Sequence, residues 1–206
     1  MASKQLTREK RGRPSHREDL RQELLDAAKA FIVREGYESV SMRRLSDEIG
    51  VSSAAPYHHF PDRRALLLAI ALDGYRTMFE SSLIGVDSTE PREILRGLLL
   101  NFLRFAAHNR RLFALMYESE LVREGPAPEI LEAQDQGFRS LHEIMLTVAP
   151  ELPDRERAIR TATLWCAVYG FALQTNHAMI RTPQPEPERD ELAEALVAQA
   201  LRLFDA

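Results

Sequence analysis

Cysteine is nearly missing from this sequence, since Cys166 is the single one among 206 residues. One cysteine forms neither an internal disulfide nor a cysteine-rich zinc site, and such sparing use is typical of a reducing compartment. The sequence also lacks an uninterrupted apolar run of the ~20 residues that span a membrane, and its first residues lack the apolar segment of a signal peptide. We therefore expect a cytoplasmic protein that has no membrane partner.

Strand-like patterns are scarce as well. Alternation of β-branched residues, which would indicate half-buried strands, is absent, and only 9 glycines interrupt the chain. Leucine, alanine and arginine are frequent instead, and all three favour helix. The sequence therefore predicts an all-α fold.

Catalytic signatures are missing too. The sequence has no glycine-rich phosphate loop, no His and Cys set at metal-binding spacing, and no nucleophile motif. We expect a protein that is not an enzyme, with no catalytic residue, no cofactor and no metal site.

Charge is present but unevenly distributed. The net charge is -4, yet residues 1–17 carry +5 whereas residues 65–206 carry -7. The distribution of charge matters more than its total when the partner is a nucleic acid. A basic start on an acidic body indicates one end that faces phosphates and another that faces solvent or a protein partner.

Apolar periodicity and the breaks between periodic segments predict nine helices in two modules. We expect a disordered basic arm over 1–14, an N-terminal module over 15–64, and a C-terminal module over 65–206. The predicted helices span about 15–35, 41–49, 52–59, 62–83, 90–107, 110–122, 128–148, 154–180 and 188–204.

The second and third predicted helices have the pattern of a helix-turn-helix. Ser41 can cap the second helix, and Gly50 stands where a chain leaves a helix in the left-handed conformation. Ser52 or Ser53 can cap the third, in which Pro56 is tolerable within a first turn. Two short helices joined by a tight turn let the second one lie in a DNA major groove, although plain helical hairpins with glycine turns are also common.

The residues of this segment resemble the TetR/AcrR family of bacterial regulators. The resemblance covers about 20–68, with Pro56 where the family usually has an aliphatic residue. It is carried by Phe31, Gly36, Tyr37, Ser41, Met42, Arg43, Leu45, Ser46, Ile49, Gly50, Val51, Ser52, the run Ala55-Pro56-Tyr57-His58-His59-Phe60-Pro61-Asp62-Arg63, Leu66 and Leu67.

The resemblance implies that the third helix enters the major groove and that the start of the fourth holds phosphates. Arg43 is the first candidate to read guanine, because its fork fits O6 and N7, and alanine methyls can contact thymine methyls. The alternative is that His58 and His59 are ordinary polar surface residues. Arg63 and Arg64 could likewise be ordinary solvated charges. The expected DNA contacts are Ser41, Met42, Arg43, Ser53, Ala54, Ala55, Tyr57, His58, His59, Arg63 and Arg64.

A second DNA-facing feature lies upstream, where Arg11-Gly12-Arg13-Pro14 resembles the core of an AT-hook. Narrow A-tract grooves concentrate negative potential, which attracts arginines such as Arg11 and Arg13. The alternative is a disordered basic tail that adds only non-specific attraction.

The C-terminal body resembles the family in fewer places. The stretch from Leu164 to Leu173 is similar to the Trp-His-Gly signature of one subgroup, with Tyr169 in place of the histidine. The resemblance implies that the last two helices form a four-helix dimer interface, whereas an intramolecular core is the alternative. Aromatic and apolar residues suit a small-molecule site, although each also fits an ordinary core. The candidate pocket residues are Phe102, Phe105, Met116, Tyr117, Phe138, Trp165 and Tyr169.

The helix-turn-helix pattern and the resemblance to the family together imply a homodimeric, sequence-specific transcriptional regulator. We expect a repressor that leaves a palindromic double-stranded operator when an apolar or aromatic effector binds, and that is associated with the nucleoid when DNA-bound. A sequence-neutral DNA-packaging protein should be basic overall, which this chain is not. A helical adaptor leaves the basic start and the helix-turn-helix without a purpose.

Overall fold

A computed structural model describes residues 16–123, 125–181 and 187–205, with only the backbone described for 16–19. The candidate minor-groove residues Arg11 and Arg13 lie outside this range, as does Ser15, which had been expected to open the first helix. Helices and turns account for the regular structure of the described ranges, in which no strand occurs. The all-α prediction is confirmed.

In the described ranges, eight α-helices have two turns or more, and a single helical turn, Glu120–Arg123, follows the fifth. Three short 3₁₀ segments lie at Tyr37–Ser39, Ala55–His58 and Arg202–Phe204. The eight helices are α1 His16–Glu35, α2 Met42–Ile49, α3 Arg63–Ser81, α4 Pro91–His108, α5 Arg110–Glu118, α6 Pro128–Val148, α7 Asp154–Asn176 and α8 Arg189–Leu201.

The predicted count of nine helices is wrong, because the expected third helix is a 3₁₀ turn at Ala55–His58. The Ala55 amide donates to the Ser52 carbonyl at 3.0 Å, which is the tighter 3₁₀ pattern. Pro56 has no amide hydrogen for an α-helical bond and restricts the residue before it. Its ring is buried, so the segment is anchored by packing rather than by a regular helix.

Local capping residues set the ends of α2 and α3. The Ser41 hydroxyl accepts a hydrogen bond from the Arg44 amide at 3.2 Å, and Gly50 ends α2 with a φ of 72°. Both features match the sequence prediction. The Asp62 carboxylate caps α3 by accepting from the Ala65 amide at 2.8 Å. These caps hold the region around the expected helix-turn-helix in place.

The predicted helix over 110–122 is broken at Ser119. This residue has extended backbone angles, and its buried hydroxyl donates to the Leu115 carbonyl at 2.6 Å while accepting from the Leu121 amide at 3.2 Å. The hydroxyl therefore ends α5 and caps the single turn that follows. This break directs Glu120 towards the start of α3.

One continuous core joins the two halves of the chain. Leu45 and Phe60 are buried, and α3 continues from them into the body, where Ile70 and Tyr75 are also buried. The Lys29 ammonium contacts the Asp73 carboxylate at 2.5 Å and so joins α1 to α3. None of the described helices is both long and apolar enough to cross a membrane.

Candidate functional site

Five of the residues expected to contact DNA in the segment 43–58 are exposed: Arg43, Ser53, Ala54, Tyr57 and His58. We call them the reading surface. Arg43 forms no hydrogen bond or ion pair with the described residues, and 53% of Tyr57 is exposed. The Arg43 guanidinium and the Tyr57 hydroxyl therefore remain available to an external partner.

Arg44, the neighbour of Arg43, serves the scaffold instead. Its guanidinium forms an ion pair with Glu35 at 3.0 Å, donates to the Ser39 carbonyl at 2.8 Å and lies 4.6 Å from the centre of the Phe31 ring. This contact joins α2 to the end of α1. Two adjacent arginines thus have different surroundings, and Arg43 is the one of the two that the sequence analysis expects to contact DNA.

Four other expected contacts lie in less open positions. Met42 is only 5% exposed and packs in the core, so the expectation that it contacts DNA is corrected. The hydroxyl of Ser41 is used as the α2 cap. Ala55 and His59 are half-buried, and His59 already interacts with other residues of the chain.

Arg63 also departs from its expected role as a phosphate contact. Its guanidinium donates to the carbonyls of Tyr37 and Val40, both at 2.8 Å, and forms an ion pair with Glu120. Arg64 is exposed and donates to the Glu120 main-chain carbonyl at 3.1 Å. Arg63 therefore connects the segment before α2 with the turn after α5.

The electrostatics of Glu120 agree with this arrangement. Burial raises its pKa, but the hydrogen bond to its own backbone amide and the nearby Arg63 outweigh that effect, so the pKa lies below the ordinary value. Glu120 is therefore ionised at neutral pH and the pair with Arg63 is charged on both sides.

A cavity of about 540 Å³ lies in the body between α3, α4, α6 and α7. This volume is in the range of small-molecule sites. Among its described lining residues none carries a charge. Five of the seven residues proposed from sequence line it: Phe102, Tyr117, Phe138, Trp165 and Tyr169.

Two residues that the sequence analysis expected in the pocket do not line the cavity, so that expectation was wrong for them. Phe105 and Met116 are 7% and 0% exposed and belong to the core. The Met116 sulfur packs beside Gly74, where an added Cβ would lie 2.7 Å from it. Sequence reasoning missed the following described lining residues: Tyr75, Met78, Phe79, Ser82, Leu95, Leu98, Leu99, Val122, Ala133, Gln134, Gln136, Gly137, Ser140 and Leu141.

Hydrogen-bonded phenols occupy part of the lining. The Tyr75 hydroxyl donates to the Met116 carbonyl at 2.9 Å and accepts from the Gln134 amide at 3.0 Å. Burial raises the pKa of Tyr75 to about 12 and raises that of Tyr117 well above its ordinary value. These phenols remain neutral at physiological pH.

Aromatic rings form a connected wall of the same cavity. The rings of Trp165 and Tyr169 are nearly parallel, 11° apart with centroids at 6.0 Å, and Phe102 lies 5.0 Å from Trp165. Tyr117 lies 5.5 Å from Tyr169. Such a wall suits an apolar or flat aromatic ligand.

A metal site would require several ligating side chains close together. No group of three or more His, Cys, Asp or Glu residues in the described ranges is placed to hold a metal ion. The single Cys166 is exposed.

A small helical head with an exposed reading surface, joined to a helical body that contains a cavity, is the architecture typical of helix-turn-helix regulators. Residues 24–70 match the family model of bacterial regulatory proteins of the tetR family, and residues 95–200 match that of the tetracyclin repressor-like C-terminal domain. The chain belongs to the TetR family, whose members are DNA-binding transcriptional regulators and not enzymes.

Curated relatives match chiefly through the N-terminal region. The transcriptional repressor AcnR of Corynebacterium efficiens is 37% identical over 79 residues, which are 38% of this chain and 40% of that protein. The transcriptional activator FasR of Mycolicibacterium smegmatis is 29% identical over 122 residues, 56% of this chain and 53% of that protein. The matched stretches thus span about half or less of these relatives.

Solved structures match over nearly the whole chain. A protein of unknown function from Rhodococcus sp. RHA1 has a TM-score of 0.77 and 26% identity, covering 95% of this chain and 100% of that one. A TetR/AcrR regulator from Thermobifida fusca YX-ER1 has a TM-score of 0.66 and 22% identity, covering 89% and 97% respectively. The latter similarity concerns the fold.

Proposed function

We propose that this protein is a homodimeric transcriptional repressor that binds a palindromic operator and is released from it by a small apolar or aromatic effector. The observation that carries the proposal is the reading surface, in which Arg43 is exposed and unpaired with any described residue, and in which Ser53 and Ala54 are small and exposed. The repressor relatives favour repression. We keep the boundaries 15–64 for the DNA-binding module and 65–206 for the effector and dimerisation module.

Arg43 is the proposed base reader, because its guanidinium is exposed and free to make a bidentate contact with guanine. Ser53 and Ala54 are small enough to bring the backbone close to base edges. Tyr57 and His58 can donate to phosphates or bases, and Arg64 adds positive charge beside them. Ser41, Ala55 and His59 remain secondary candidates on the same proposed interface.

Operator fragments identified by genomic footprinting provide the direct test. Arg43→Ala should lower the ratio of operator to random-sequence affinity by about tenfold, because one good bidentate contact contributes ~1–3 kcal/mol of discrimination. Arg139→Ala is the matched control, since it removes the same charge from an exposed position in α6. Equal ratios in the two variants would exclude Arg43 as a reader. A promoter reporter carrying the operator then distinguishes repression from activation.

The exposed face of α7 supports the proposed dimer. Ile159 is 52% exposed, and Ala162 and Cys166 follow on the same side of the helix. Gly170 faces open space, with nothing within 4 Å of a Cβ built there. A stripe of small and apolar residues at this spacing lets two helices approach closely, and a two-fold dimer matches a palindrome.

Sedimentation tests the dimer. The chain of 23.5 kDa should sediment at about twice that mass. Ile159→Glu should shift it towards the monomer, because dimerisation would bury two like charges. Thr147→Glu, at an exposed position of α6, is the control. A monomeric wild type would contradict the proposal.

The contacts of Glu120 suggest how an effector acts on the reading surface. Val122 lines the cavity and lies two residues after Glu120, which is paired with Arg63 at the start of α3. An effector that displaces this turn would reposition α3 and the carbonyls that Arg63 holds. The effector can shift the equilibrium between the DNA-binding and the released conformation only by binding one of them more tightly than the other.

Two finer assignments complete the proposal. The arginines of the basic arm, Arg11 and Arg13, are proposed to lie in an A/T-rich minor groove beside the operator. Trp165 and Gly170 favour membership of the Trp-His-Gly subgroup, whose histidine is replaced by Tyr169 in this chain. A nucleoid-associated location in the cytoplasm follows from the proposed operator binding.

A further inference from the structure

The cavity contains one phenol whose hydroxyl is unused. Tyr75 both donates and accepts hydrogen bonds, and the Tyr117 hydroxyl lies 3.8 Å from the Met78 sulfur. Tyr169 also lines the cavity, yet its hydroxyl makes no hydrogen bond to any residue in the described ranges. A half-buried hydroxyl with no partner in the chain is a donor available to a ligand.

The surroundings of Tyr169 disfavour a charged ligand. The described lining includes neither a cation that could pair with a bound carboxylate nor a carboxylate that could pair with a bound ammonium. Glu118 lies close enough to raise the pKa of Tyr169, although burial is the larger cause. The Glu118 carboxylate already contacts the His177 ring nitrogen at 2.8 Å. Burial of an unpaired ionised group is costly.

We infer that the cavity selects an uncharged ligand with an apolar body and one acceptor oxygen, and that the Tyr169 hydroxyl donates to that oxygen. The ring of Tyr169 lies nearly parallel to that of Trp165, which also lines the cavity. Apolar side chains of α3 and α4, including Met78, Phe79 and Leu99, surround the body of the ligand. This inference rests on the proposed role of the cavity as the effector site.

Trp165 supplies the assay, because it is the single tryptophan of the chain and lines the cavity. Its fluorescence is titrated in the full-length protein with four probes of similar length. Methyl decanoate is neutral and has an acceptor oxygen, undecane is neutral without one, decanoate is an anion, and decyltrimethylammonium is a cation. We expect methyl decanoate to bind more tightly than either ion.

Tyr169→Phe removes the hydroxyl and retains the ring. We expect it to weaken methyl decanoate binding about three- to tenfold, the range for one net hydrogen bond. Undecane binding should stay within about twofold, which also verifies that the cavity of the variant is intact. Tyr37→Phe, which removes a phenol hydroxyl outside the cavity lining, is the matched control and should change neither affinity.

Three results would overturn the inference: equal weakening of ester and hydrocarbon in Tyr169→Phe, tighter binding of either ion than of the ester, or no saturable response to the neutral probes. Operator affinity measured with saturating ester tests the proposed function separately. If methyl decanoate binds in a way that depends on Tyr169 but leaves operator affinity unchanged, the inferred selectivity is supported and the effector role of the cavity is contradicted.

Discussion

Replacement of Glu120 by glutamine tests the connection between the cavity and the reading surface. The substitution keeps the size of the side chain and removes its charge, so the pair with Arg63 loses its ionic character. Charge-assisted hydrogen bonds contribute ~1.5–3 kcal/mol when well protected. The Arg63 and Glu120 side chains are 33% and 29% exposed, so solvent screens the pair. We therefore expect Glu120→Gln to lower the free energy of unfolding by about 1–2 kcal/mol at pH 7.

The loss should depend on pH with a defined sign. The pKa of Glu120 is below its ordinary value of 4.5 in the folded protein. Its contribution to stability is therefore fully present above that value and is lost as the pH falls through the lower, folded pKa. Glutamine does not titrate, so the difference between wild type and Glu120→Gln should shrink over the same acidic interval.

Thermal unfolding from neutral pH to below 4.5 measures both effects. A loss of this size should lower the midpoint by about 2–8 °C for a chain of this length. Glu132→Gln provides the control, because Glu132 is exposed and forms no ion pair with the described residues. A difference from wild type that is absent at neutral pH, or that persists unchanged in acid, would refute the reasoning.

Four further outcomes are expected. Arg63→Met should lower the free energy of unfolding by about 2–4 kcal/mol, more than Glu120→Gln in the same assay, since the Val40 carbonyl loses the Arg63 donor and the Tyr37 carbonyl keeps only the Val40 amide; an equal loss in both variants would contradict this. Gly74→Ala should lower stability by about 1–3 kcal/mol through overpacking against Met116, and an unchanged unfolding midpoint would disprove it. Tyr57→Phe should weaken binding to all DNA sequences similarly in titrations at fixed salt, whereas a selective effect would make Tyr57 a base reader. Deletion of 1–14 should weaken binding to A/T-flanked operators more than to G/C-flanked ones, and equal weakening would reject the minor-groove role.

Local chemistry explains which parts of the fold could be predicted from sequence. Ser41 and Gly50 act through hydrogen bonds and φ angles within one turn, so their roles can be inferred from their neighbours. Pro56 shows the limit of that reasoning, because the competition between 3₁₀ and α-helical hydrogen bonds determines which kind of helix the segment around it forms. The burial of Met42 depends on packing between helices, which periodicity indicates only weakly in so short a helix.

The remaining parts of the candidate site could not be predicted, because they depend on contacts between residues that are distant in sequence. Arg63 bonds to Glu120, 57 residues away, so its charge indicated a phosphate contact until the fold assigned it a partner. Tyr75 joins Gln134 across 59 residues, and neither was a candidate for the cavity. Aromatic composition indicated the lining residues on α4, α5, α6 and α7, whereas the polar lining depends on tertiary structure.

Selection from a library of random DNA duplexes tests the central claim most directly. The full-length chain is bound to the library at fixed salt, and the retained duplexes are sequenced and their affinities measured. The account predicts inverted half-sites whose centres lie about 34 Å apart or a multiple of that, bound at least ~10³-fold more tightly than random duplexes. Retained sequences without a shared inverted motif, bound no more tightly than the starting library, would contradict it.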